Sequence, residues 1–161
     1  MAVQTNIIPT GNSAPGTAFS GPVVSGDQAP GSNTPNQGLS VNMQQVTLVQ
    51  NSTNAVSGTL YLPPHSIITD IIFDSTTAWN SATSATGSVG TSAGGTQYAS
   101  GVNTLAAGGA RSRPTFTAAQ LAAMLDAGGA VVATITPVGA TSAGQTTVTV
   151  VYEQTANYQN P

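Results

Sequence analysis

The 161-residue chain carries very little charge: Lys, Arg, Asp and Glu together make up 4% of it, against about 25% in a typical soluble domain. It has no cysteine and no lysine, and its one histidine is His65. The lack of cysteine excludes disulfides, thiol catalysis and Cys-based zinc sites. Arg111 and Arg113 are the only cations, set against Asp27, Asp70, Asp74, Asp126 and Glu153, for a formal net charge of -3. Gripping a phosphate backbone takes several clustered cations, so no nucleic acid is expected as a partner. An anionic membrane surface is excluded for the same reason. Nor is there a run near the ~20 apolar residues of a membrane span. The N-terminus lacks the basic and apolar regions of a secretory signal, so the chain is expected to fold in the cytoplasm of the cell that makes it.

In place of charge stand Ser, Thr, Asn, Gln, Gly and Ala. These small or neutral groups lie against other protein at little desolvation cost, because ionised groups are the expensive ones to bury. That composition suits a component of an assembly. It also suits a secreted protein with a neutral exterior, and composition leaves the two open.

Residues 1–40 read as an extended arm. Pro9, Pro15, Pro22, Pro30 and Pro35 alternate with glycines there, which prevents any helix or long strand. Apolar tags recur along it, namely Ile7, Ile8, Phe19, Val23 and Val24. A pure linker has no use for such tags, so they are candidate contacts with a neighbour. Residues 41–154 read as one β domain, and 155–161 as a tail. Alternation predicts strands at 43–50 and 56–62, the second stopped by Pro63-Pro64. The β-branched run Ile67-Ile68-Thr69-Asp70-Ile71-Ile72-Phe73 is the strongest strand. Shorter strands are expected near 86–91 and 97–103 within the long loops of 75–110, and two more at 130–136 and 146–152. Thr117-Ala118-Ala119-Gln120 has the form of a capping box, with Leu121, Met124 and Leu125 on one face and Gly128 to close the helix. About seven short strands and one short helix predict a mostly β, two-sheet β-sandwich of jelly-roll or Greek-key type.

Little in the chain reads as chemistry. His65 follows two prolines and is expected at an exposed turn, with no nucleophile elbow near it. Strand alternation places Asp70 and Asp74 on one face, opposite Ile67, Thr69, Ile71 and Phe73. A calcium site there would need ~6 oxygen ligands, and two Asp without a loop spacing do not supply them. Gly108-Gly109-Ala110-Arg111 precedes the helix but lacks a phosphate-loop spacing and any lysine. Arg111 and Arg113 are instead candidates for hydrogen bonds or a salt bridge at a subunit contact. Trp79 is expected in the core, with an aromatic binding face as the alternative. The reading is of a protein that is not an enzyme and binds no cofactor or metal.

Leu62-Pro63-Pro64-His65-Ser66-Ile67-Ile68-Thr69-Asp70-Ile71, then Ala78-Trp79-Asn80, Ser88-Val89-Gly90-Thr91, Tyr98, Gly101-Val102 and finally Thr146-Thr147-Val148-Thr149-Val150-Val151-Tyr152 form an order of dispersed positions over residues 60–153. This order resembles that of small phage β-sandwich virion proteins, in particular the decoration or cement proteins of tailed-phage heads. The resemblance implies a capsid-surface protein of the virion, a homo-oligomer (dimer or trimer) whose partner is the major capsid protein, bridging neighbouring capsid subunits and bracing the shell. It brings no catalytic residues. Two alternatives stay open: a fibre or spike module that binds host glycan through Trp79 or the Tyr98 region, and a shell-forming jelly-roll coat protein.

Overall fold

In the computed structural model the described residues are 39–51, 54–105 and 108–155. The chain divides between Gly38 and Leu39, and the second unit is the subject here. The arm tags Ile7, Ile8, Phe19, Val23 and Val24 lie outside the described residues.

Seven strands and one helix follow in the order β1 (Leu39–Val49), β2 (Val56–Thr77), β3 (Ser84–Gly90), β4 (Ala99–Asn103), β5 (Ala110–Ser112), α1 (Ala118–Met124), β6 (Ala127–Val138) and β7 (Gln145–Thr155). All pairings are antiparallel, and they form a single sheet in the order β1-β7-β2-β6-β3-β4, with β5 also on β2. The protein is mostly β with one short helix, but its pairings run through one curled sheet, where the sequence suggested two.

The reason lies in β2. The sequence predicts a stop at Pro63-Pro64, yet the strand runs on for 22 residues and changes partner there. Its first half pairs with β6 in unbroken register to Leu62 opposite Gly129, and after a register shift once more at Ser66 opposite Ala127. Its second half pairs with β7, from Ser66 opposite Gln154 to Thr77 opposite Gln145. Prolines offer no N–H to a ladder, so a stretch between two sets of partners is where a strand tolerates them. His65 completes the bend in a left-handed conformation, φ 59°, and Ser66 Oγ donates to the Pro63 carbonyl at 2.7 Å.

The bend brings the flanks of the sheet face to face. A Cβ at Gly58 would lie 2.5 Å from Val46 Cγ2 of β1, and one at Gly87 in β3 would lie 2.5 Å from Phe73 Cε1. Between the flanks Ile71, Phe73, Val89, Val131, Ile135, Val148 and Val150 are fully buried, each worth about 1.5–3 kcal/mol relative to exposure. A bulge between Ile68 and Asp70 shifts the register against β7. Ile68, Ile71 and Phe73 therefore point inward, and the simple alternation that grouped Ile67 and Thr69 with Ile71 and Phe73 fails.

The capping box forms as its residues predict: Thr117 Oγ1 accepts from the Gln120 N–H at 3.2 Å, and Gln120 Oε1 accepts from the Thr117 N–H at 2.9 Å. The buried face differs from expectation. Gln120 and Met124 are buried, while Leu121 and Leu125 are exposed. Gly128 does not close the helix, whose C-cap is Leu125. It belongs to β6, where a Cβ would come 3.1 Å from the Pro64 Cα.

Gly87→Ala should destabilise the domain by about 1–3 kcal/mol, the usual cost of forcing a methyl into a filled core, because the Phe73 ring that it meets is fully buried. Chemical denaturation should show a lower midpoint at unchanged slope. An unchanged midpoint would mean that the two flanks are not packed at this point.

Candidate functional site

Most polar side chains of the domain serve its structure. Trp79 is buried and its indole N–H donates to Thr146 Oγ1 at 2.9 Å, while Thr146 in turn shares a hydrogen bond with Ser75 at 3.0 Å. Asn80 clamps the loop between β6 and β7: its Oδ1 accepts from the N–H groups of Ser142 and Ala143, each at 2.9 Å, and its Nδ2 donates to Ser142 Oγ at 2.8 Å. Gln44 holds β1 to the bent strand, its amide exchanging hydrogen bonds with the Tyr61 backbone at 2.7 and 3.3 Å. The core placement expected of Trp79 is observed, and Tyr98 is buried as well. Burial raises the Tyr98 phenol above its ordinary range, with the Asp126 charge adding to the effect. Neither aromatic offers a face to a sugar. Tyr61, at 71% exposure, is the open aromatic among the described residues, and sequence reading did not single it out.

His65 is exposed at the bend, as expected, and bonds Asp126 at 3.1 Å. The neighbouring Ser66 hydroxyl is buried and donates to a backbone carbonyl. Asp70 and Asp74 share the outer face of β2, each bound to an arginine. Arg111 makes a two-pronged contact with Asp74, Nε to Oδ1 at 2.7 Å and Nη2 to Oδ2 at 3.0 Å, and Arg113 Nη2 reaches Asp70 Oδ2 at 3.2 Å. Both arginines thus pair with carboxylates of their own chain while staying more than half exposed. The structural cause is β5, a three-residue strand that sequence reading left inside a loop; it sets Arg111 directly opposite Asp74. Among the described residues no three His, Cys, Asp or Glu side chains gather as metal ligands.

The two outer faces of the curled sheet differ. On the β6 side the loop after β3 folds over, and Gly94 donates its N–H to Thr134 Oγ1 at 2.9 Å, leaving Thr134 buried. On the β1-β7-β2 side the face is open. β1 turns Val46 and Leu48 inward, so Val41, Met43 and Val49 point out at 64%, 69% and 54% exposure. Across the sheet Met43 neighbours Val151, which neighbours Asp70. Half-buried Ile67 and Ile72 lie on the same outer side of β2. The face therefore runs from an apolar strip on β1 to the closed Asp–Arg pairs on β2 and β5. It is broad, and Glu153 of β7, opposite Val41 and Ile67, is the carboxylate on it that no arginine meets.

The hydrogen bond from Arg111 holds the Asp74 carboxyl below the usual range, and the charges of Arg111 and Arg113 reinforce this. A folded pKa below the unfolded one makes the pair's contribution complete above the ordinary carboxylate range, and lost as pH falls through the folded value. Arg111→Gln should therefore narrow the difference in stability between neutral and acid pH relative to the parent chain. Both groups are partly exposed, so the change is small; thermal melts of the two chains across acid pH measure it, and parallel pH profiles would contradict it. Comparison with protein-family models, with curated proteins and with solved structures finds no match for the chain.

Proposed function

We propose that this chain is a structural virion protein that binds the outside of a phage capsid and stabilises it by bridging neighbouring major capsid subunits. The observation that carries this reading is the open outer face of β1, β7 and β2, where exposed Val41 and Met43 lie on a surface whose charge is confined to two closed Asp–Arg pairs and Glu153, which stands opposite Val41. Such a face buries against protein with a single carboxylate to accommodate, and a polar or cationic group of the partner opposite Glu153 would meet that cost. The ordered resemblance over residues 60–153 supplies the phage head as the setting, and the apolar-tagged residues 1–40 supply a second point of attachment. Each contact is weak, and many copies on one shell make the bracing strong through multivalency. On this reading the chain works as a homo-oligomer and performs no catalysis. The curled sheet is read as a sandwich made from one sheet, with β1, β7, β5 and the second half of β2 over β6, β3, β4 and the first half of β2. Of the alternatives, glycan recognition through the Trp79 ring or the Tyr98 region would have to use the exposed loops beside Tyr98, because both rings are themselves buried.

The test uses capsids of the virus that encodes the chain, stripped of this protein. Val41→Glu with Met43→Glu should lower apparent affinity by about tenfold or more, equivalent to ~1.4 kcal/mol. Val41→Glu sets a carboxylate directly opposite Glu153, so the double variant should unfold slightly earlier, while Met43→Glu alone, opposite Val151, should leave the unfolding transition in place and still weaken binding. Deletion of residues 2–38 should abolish binding. Undiminished binding by all three variants would overturn this account of the contact, and no binding by the parent chain would overturn the capsid reading itself.

A further inference from the structure

A surface helix normally turns its polar residues to water and its apolar ones to the core. α1 does the reverse. Its one polar residue, Gln120, is buried and fully engaged, accepting from Thr117 N–H and donating to the Thr96 carbonyl at 3.0 Å and to Ser100 Oγ at 3.2 Å. With Met124 it fixes which side of the helix faces the sheet. The opposite side is Ala118, Leu121, Ala122 and Leu125, all exposed, with Leu121 at 52% and Leu125 at 65%. These positions follow the i, i+3, i+4, i+7 spacing of a contact stripe. They alternate small and large, and no charged side chain interrupts them.

We propose that this stripe is where two copies of the chain meet, helix against helix and antiparallel about a two-fold axis. A stripe that reads small, large, small, large is complementary to its own reverse. In the antiparallel arrangement Ala118 faces Leu125 of the second copy and Leu121 faces its Ala122, so each leucine fills the space left by an alanine. The charges select the same arrangement. Asp126 follows the stripe directly, bonded to His65 at 3.1 Å. Antiparallel pairing keeps the two Asp126 carboxylates at opposite ends of the contact, whereas parallel pairing would set like charges side by side. A two-fold contact of this kind needs only one surface, used twice. A helix of 7 residues covers less than the ~800 Å² per partner of a standard stable interface. The pairing is accordingly weak in free solution, and it is strong when copies are held side by side on a larger scaffold. This inference rests on the reading that the chain associates with copies of itself, and it names the surface.

Because the chain contains no cysteine, introduced thiols are its only ones. Ala118→Cys and Leu125→Cys chains, mixed in equal amounts and oxidised mildly, should give a disulfide-linked dimer on a non-reducing gel, and each variant alone should give several-fold less. Adding Leu121→Glu to both should remove the linked dimer while leaving the melting temperature unchanged. Equal cross-linking by single variants and mixture, or cross-linking that survives Leu121→Glu, would overturn the antiparallel stripe. Sedimentation of the parent chain separates the two levels. Self-association without the mixed-pair disulfide overturns this surface and leaves the homo-oligomer reading standing, whereas a monomer at every concentration with no disulfide overturns both.

Discussion

The constraint on which the rest of the fold depends is the bend in β2. A strand hydrogen-bonds to one partner per edge at a time, and a strand that bends and changes partner folds one part of a sheet over another. Pro63, Pro64 and His65 provide that change: the prolines contribute no N–H where none is needed, and His65 turns the chain through a left-handed conformation. Ser66 stands at the join, opposite both Ala127 of β6 and Gln154 of β7. Because β6 and β7 attach to different halves of one strand, they lie on different flanks, and the side chains between them become the core. The packing of Gly58 on β1 and of Gly87 on Phe73 follows from the bend.

A second constraint is the scarcity of charge, which leaves hydroxyls and amides to do what ion pairs do elsewhere. Thr47 with Thr147, Ser57 with Thr134, Ser75 with Thr146 and Ser81 with Thr141 make side-chain bonds at 2.9 to 3.0 Å. Among the described residues no buried side-chain nitrogen or oxygen lacks a partner. Neutral bonds of this kind contribute about 0.5–1.5 kcal/mol each and are insensitive to salt, which screens ions. Some of these bonds lie in the interior, as between Ser75 and Thr146, and others on the outer face, as between Thr47 and Thr147.

β1, β7 and the two halves of β2 were legible in the sequence because their apolar residues largely alternate, whereas β5, with three residues, is too short to show a period. The capping box at Thr117 and Gln120 was legible because it depends on two residues of one short segment. What escaped depends on partners distant in the chain. Pro63-Pro64 reads locally as a stop, and only the presence of β6 on one side and β7 on the other makes it a bend. Arg111 reads as a hydrogen-bond or salt-bridge former whose partner is not named, since nothing near residue 111 announces that Asp74 stands across from it. Leu121 and Leu125 belong with Met124 by composition, and it took the buried bonds of Gln120 to turn the helix round. The outer-face residues Val41 and Met43 were readable as one side of an alternating strand, but which side faces water is settled by Leu48 and Val46 meeting the opposite flank.

The positions that carry the phage-protein resemblance bear on how far function follows from it. Trp79 and Val89 are core, Asn80 is a loop clamp, Pro63 and Pro64 make the bend, and Tyr98 and Tyr152 are buried. These residues specify a shape, while Ile67, Asp70 and Val151 of the same order lie on the open outer face. On the proposed reading, the bend and the core are kept because losing them costs the fold, while Val41, Met43 and the helix stripe, which lie outside that order, are free to vary with the partner, because exposed substitutions away from caps and networks seldom move stability by more than about 0.5 kcal/mol. A change of partner then requires no change of fold.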